Sequence, residues 1–206
     1  TVPAGNTLTI QPGVDVLFDA DVQFIVQGSL HAVGTASDSI RFLKGTASEW
    51  GGVRFSGSDS STIAFARITG ANAIAGGGMS IKARLGMANS VIKGNTSNFG
   101  GGLVCEGTNA TFIACTISDN FASGSGGGVV CNSATTVFER CTIANNTASG
   151  STIVGGGVYC VGGLTKLTHC AIAGNTATYG GGGLYVRPYG LLQKTTKAVV
   201  TSCTIT

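Results

Sequence analysis

Charge is scarce in this sequence. Lys and Arg number 12 and Asp and Glu 9 among 206 residues, which is 10% against about 25% in ordinary domains. The net charge is +3 and no run of Lys or Arg occurs, so the basic footprint of a nucleic-acid binder is missing. Proline occurs three times, and the 34 glycines follow no G-x-y period, which excludes a collagen-like chain. There are two histidines and no C-x-x-C or H-x-x-x-H spacing, so no zinc site is written here and no cofactor is expected. Long apolar runs are also absent. The uncharged stretch from Leu167 to Val186 is broken by glycines and Asn175 and is no membrane span. No stretch carries the 3.6-residue period of an amphipathic helix.

What the sequence does have is a repeat. Gly-Gly-Gly-Leu-Val-Cys (100–105) is followed by Cys-Thr-Ile-Ser-Asp-Asn (115–120). Gly-Gly-Gly-Val-Val-Cys (126–131) is followed by Cys-Thr-Ile-Ala-Asn-Asn (141–146), and Gly-Gly-Gly-Val-Tyr-Cys (155–160) by Cys-Ala-Ile-Ala-Gly-Asn (170–175). Thirteen positions separate Gly102 from Cys115, Gly128 from Cys141 and Gly157 from Cys170, while the step between copies varies. Constant cores with elastic connections are the mark of a solenoid. Weaker copies flank these, one from Gly76 to Asn95 and one from Gly181 to Ile205, the latter with seven extra residues around Arg187 to Gln193 expected as a loop.

Alignment of the copies gives columns. Ile92, Ile117, Ile143, Ile172 and Ile205 form one; Met87, Phe112, Phe138, Leu167 and Val200 a second; Asn95, Asn120, Asn146 and Asn175 a third. Apolar and polar residues alternate over four to six positions, the strand period. Coils of about 25 residues with short strands and glycine corners give an all-β fold, a right-handed single-stranded parallel β-helix of about eight coils. It forms one domain over 1–206, with irregular N-terminal coils over 1–75 and repeat coils over 76–206. Stacked asparagines are expected to link their amides along the axis. The Gly-Gly-Leu-Val, Gly-Gly-Val-Val, Gly-Gly-Val-Tyr and Ile-x-x-Asn units resemble the GGA(I/L/V) and FxxN repeats of polymorphic outer-membrane proteins, over about residues 76–186, with Ile where that family has Phe. The chain is similar, more loosely, to secreted bacterial parallel β-helix proteins. That resemblance implies the fold and an extracellular or cell-surface location, with Thr1 opening a mature form.

The seven cysteines fall into two columns, Cys105, Cys131, Cys160 and Cys115, Cys141, Cys170, Cys203. They are either a ladder of small buried thiols or disulfides between coils, such as Cys105–Cys131 or Cys115–Cys141. His169 beside Cys170 is read as facing away from it across a strand. Trp50 is expected to pack at a corner.

Among the carboxylates, Asp15, Asp19 and Asp21 are close in sequence, and the other six fall in no common column. The Asn-Thr-Asp, Asp-Asp and Gly-His-Gly signatures of polygalacturonases are absent, as are G-x-S-x-G and P-loop motifs. No catalytic or metal residue is therefore expected. A polysaccharide lyase or hydrolase, working through Asp19 or Asp21, is the third reading of function.

The first reading is a structural filament. Thr1 and Val2 enter a strand at one end and Cys203, Thr204, Ile205 and Thr206 leave one at the other, so copies would stack head to tail. Val104, Val130, Tyr159 and Tyr185, two positions after each glycine triplet, are expected outward as a raised apolar stripe for lateral contact, or else as ordinary scattered surface residues. The second reading is an adhesin or carbohydrate-binding passenger with a surface polysaccharide as partner. Asn95, Asn109 and Asn145 lie in N-x-S/T sequons, and only Asn109, in a turn, is expected to be accessible.

Overall fold

The computed structural model describes residues 1–57, 59–151, 154–188 and 195–206. The insertion expected around Arg187 to Gln193 falls largely on residues outside that set. The described residues form strands, turns and bends with no helix. Strands pair only in parallel, each with its counterpart one coil earlier and one coil later. One coil shows the plan: Leu103–Glu106, Asn109–Ile113, Thr116–Ser118 and Phe121–Ala122 follow one another around the axis. The first two lie in a single 13-stranded sheet, the third in an 8-stranded sheet and the fourth in a 5-stranded sheet. In the next two coils the first two segments fuse into Val129–Glu139 and Val158–Thr168. The 8-stranded sheet takes one strand from every coil, so about seven full turns separate its first and last members.

The columns set the register. Ile92, Ile117, Ile143, Ile172 and Ile205 pair in succession, and the column continues backwards through Ile68 and Phe42 to Val16. Met87, Phe112, Phe138, Leu167 and Val200 do the same, with Phe112 and Phe138 rings stacked 5.0 Å apart. The pairing crosses residue 75 unbroken, with Val53 opposite Met79 and Ile63 opposite Met87. Burial of one such Ile or Phe contributes about 1.5–3 kcal/mol. Strand alternation places these side chains inside and lets each coil cover the one before it.

Two corners do different things. One precedes the cysteine column and is turned by Phe65, Asn89, Ala114, Arg140, His169 and Ser202, all with φ near +50°. His169 is thus an exposed corner residue and not a strand neighbour of Cys170, as its sequence position suggested; the corner, not strand alternation, turns it from the buried thiol. The other corner holds the asparagines. Asn95 Nδ2 donates to Asn120 Oδ1 (3.1 Å), Asn120 Nδ2 to Asn146 Oδ1 (2.9 Å) and Asn146 Nδ2 to Asn175 Oδ1 (2.9 Å). The same Nδ2 atoms also donate to Ile68, Ile92 and Ile117 carbonyls, and each Oδ1 takes a backbone N–H from the coil before.

Trp50 stands two coils before Asn95 in this column, where its backbone carbonyl accepts from Asn72 as Ala71 accepts from Thr96. It is fully buried, its ring lies on Phe18 at 4.3 Å and its Nε1 donates to the Thr69 carbonyl at 3.0 Å.

The glycine triplets fit against this ladder. A Cβ on Gly101 would lie 2.4 Å from the Gly127 carbonyl oxygen, and one on Gly102 3.0 Å from Asn120 Nδ2. The coils approach through bare backbone here, and no side chain fits between them.

Candidate functional site

Outward-facing residues of the large sheet form a row along the axis: Arg54, Ser80, Val104, Val130, Tyr159 and Tyr185, each paired in register with the next. The four positions expected as a raised stripe belong to it, and the stripe is not raised. Val104, Val130 and Tyr159 are only 7–8% exposed, because they form the floor of a groove. Ala75, Val161 and Tyr185 pack against them, and Phe99 from the 5-stranded sheet lines the same hollow, half exposed. The two tyrosine rings stack on one another, 5.9 Å apart and nearly parallel, and Arg187 lies against the Tyr159 hydroxyl, which raises the guanidinium pKa.

Three hollows of about 330, 290 and 270 Å³ follow one another along this face. Gln23 and Ile74 line both the first and the second; Ala75, Val104 and Glu106 line both the second and the third. They are stretches of one groove. Its N-terminal part is polar, with Asp21, Glu49, Asn72 and Asn98, and its middle carries Arg54 and a Lys82–Glu106 ion pair at 2.9 Å. Its far part has the apolar floor with Ser125 and Asn132 beside it.

The carboxylates divide. Asp15 is held by Arg41 in a two-pronged ion pair, Nη2 to Oδ2 at 2.6 Å. Asp19 accepts from the backbone N–H (2.8 Å) and the hydroxyl (3.0 Å) of Thr46, which hold its pKa below the usual carboxylate range. Both are thereby engaged in joining coils. Asp21 differs. It lines the polar hollow together with Glu49, although the two had no common column in the sequence. Asn145 also departs from expectation: it is exposed, as Asn109 is, because it stands at a corner with φ +56°. Asn95 is buried.

All seven cysteines are free thiols. The corner column does the work of a serine one coil earlier: Ser90 Oγ donates to the Ala88 carbonyl and accepts from the Ala66 N–H. Cys115 donates to the Met87 and Ile113 carbonyls, Cys141 to Phe112 and Glu139, Cys170 to Phe138 and Thr168, and Cys203 Sγ accepts from the Cys170 N–H. The thiols also face one another. Hydrogen bonding from Cys141 lowers the Cys115 pKa and raises that of Cys141 to about 11.

The interior column is different. Cys105, Cys131 and Cys160 are paired in register and fully buried, and Cys160 Sγ donates to Thr165 Oγ1 at 3.3 Å. Among the described residues no three His, Cys, Asp or Glu converge as ligands around one ion.

The family model for the right-handed β-helix region matches residues 33–205. The chain belongs to that family, and its parallel coils are those of a right-handed β-helix. No curated protein and no solved structure matches the chain. The fold and family support a structural or binding role.

Proposed function

We propose that this chain is a non-catalytic binding solenoid of the cell surface or extracellular space, holding an extended polysaccharide along its outer groove. The observation that carries the reading is the near-buried floor of Val104, Val130 and Tyr159 inside a continuous hollow: the face is concave before any ligand arrives. A linear glycan suits its dimensions, since a sugar ring is about as long as the coil repeat of about 4.8 Å. It also suits the lining. Asn72, Asn98, Ser125, Asn132 and Gln23 offer paired donors and acceptors for hydroxyls, while the floor takes the apolar faces of rings.

The test is biolayer interferometry of the purified chain on immobilised neutral and acidic polysaccharides. At least one should bind, and Val130→Lys, which puts a charge on the groove floor, should weaken binding tenfold or more. Equal binding by this variant, or none to any polymer, would sink the reading. Shortening of the polymer, abolished by Asp21→Asn or Glu49→Gln, would establish an enzyme in its place.

A second reading, head-to-tail stacking into a filament, is favoured by one observation. Val200 and Ile205 of the last coil are 42% and 44% exposed, although their columns are fully buried in the coils before. That edge accepts either a further coil of the same polypeptide or a second copy. Light scattering distinguishes the two: polymers support stacking, and a monomer at high concentration rules it out.

A further inference from the structure

We propose that the interior column of Cys105, Cys131 and Cys160 is a binding site for soft monovalent cations of the Cu(I) class, each held in line between the thiolates of adjacent coils. The inference is independent of the groove. It begins from spacing. Parallel strands in register point equivalent side chains the same way, so the Cβ atoms of Cys105, Cys131 and Cys160 repeat at the strand separation of about 4.8 Å. A disulfide needs Cβ atoms about 3.5–4.5 Å apart and sulfurs at about 2.05 Å, which would draw two coils together. Two metal–sulfur bonds of roughly 2.3 Å set end to end span roughly 4.6 Å, which the undisturbed coils already provide. The column is linear and its thiols do not converge, so a tetrahedral zinc site is not formed. Thiolates select soft cations such as Cu(I).

The second observation is Thr136. Its Oγ1 is fully buried and, among the described residues, has no hydrogen-bond partner, an expensive state for a hydroxyl. It sits beside Cys105 and Cys131, as Thr165 sits beside Cys131 and Cys160. Donated to a thiolate, the Thr136 hydroxyl would be satisfied. Binding needs no oxidant. Three S–H bonds break, three protons go to solvent, four metal–sulfur bonds form to two cations, and Cys131 bridges them.

The experiment titrates silver nitrate, as the redox-stable member of the class, into the chain carrying Cys115→Ser, Cys141→Ser, Cys170→Ser and Cys203→Ser, in chloride-free buffer. The expected result is two silver ions per chain by native mass spectrometry, a thiolate-to-metal absorption band and an unchanged β circular dichroism spectrum. Adding Cys131→Ser leaves Cys105 and Cys160 two coils apart and should abolish both ions; Thr136→Val should weaken binding about tenfold. Should the four-serine chain fail to fold, the same titration of the unaltered chain with and without Cys131→Ser should differ by two ions. Equal stoichiometry with and without Cys131, uptake only with loss of the β spectrum, or a Cys105–Cys131 disulfide in place of silver would overturn the site.

Discussion

At the scale of the residue, the asparagine column carries the heaviest polar load in the core. Asn120 alone accepts at Oδ1 from the backbone and side chain of Asn95, and donates from Nδ2 to the Ile92 carbonyl and to Asn146. Each bond joins two coils, and Asn120 is 1% exposed, so nothing replaces a lost partner. Asn120→Ala orphans the Asn95 N–H and takes one partner each from Asn95 Nδ2 and the Ile92 carbonyl. At about 1–3 kcal/mol for the orphaned group and about 1 kcal/mol for each further bond, the loss should be about 3 kcal/mol. Asn175→Ala, at the less buried end of the column, should cost clearly less. Urea unfolding followed by circular dichroism measures both, and equal losses would mean that the ladder does not act through burial. An aspartate at 120 would not rescue the site, because a carboxylate cannot donate to Ile92 and a buried unpaired charge is costlier still.

At the scale of the element, the short strands are joined by corners that admit one kind of residue each, and the glycine triplets show why. A Cβ on Gly127 would stand 2.5 Å from the Gly156 carbonyl oxygen and 2.6 Å from that of Thr147, both backbone. Gly127→Ala must push two coils apart and should cost more than 2 kcal/mol in the same unfolding assay. Gly86→Ala, in a strand where nothing lies within 4 Å, should fall within about 0.5 kcal/mol of the parent. This difference explains what could be read from the sequence. A column needs one residue type recurring once per coil, so the Ile, Asn, Cys and glycine columns were legible as spacing, and with them the parallel register. The left-handed corner was not, because Asn89, Ala114, Arg140 and His169 occupy it with no glycine among them. Nor was the place of Trp50 in the asparagine column, since an indole shares no sequence likeness with the amide it replaces. The groove escaped for a different reason. Alternation says that Val104 and Val130 point outward, but their burial depends on Ala75 and Phe99, which belong to another sheet and another phase of the coil.

At the scale of the whole molecule, each coil touches mainly the coils on either side of it, so stability should behave as a sum of coil terms and interface terms. The step from Cys115 to Cys141 is 26 residues, and so is that from Gly100 to Gly126. Excising residues 100–125 therefore joins Phe99 directly to Gly126 in the phase that Gly100 had. It places Asn95 against Asn146, Ile92 against Ile143 and Met87 against Phe138, so every column closes with like on like. The hydrogen-bond ladders also meet: the Gly76 N–H still finds the Phe99 carbonyl, and the Gly77 and Gly78 N–H groups find the carbonyls of the Gly126 triplet. The shortened chain should fold, keep its β circular dichroism signal per residue and unfold at a moderately lower urea concentration with a smaller dependence on denaturant, because less surface is exposed. Excising half a coil, residues 100–112, should by contrast remove the strand residues that pair with Met79 and Met87 while keeping the rest of that coil, so that the columns cannot close. If the two deletions behave alike, register is not what holds this molecule together; if only the 26-residue deletion folds, the unit of the protein is the coil.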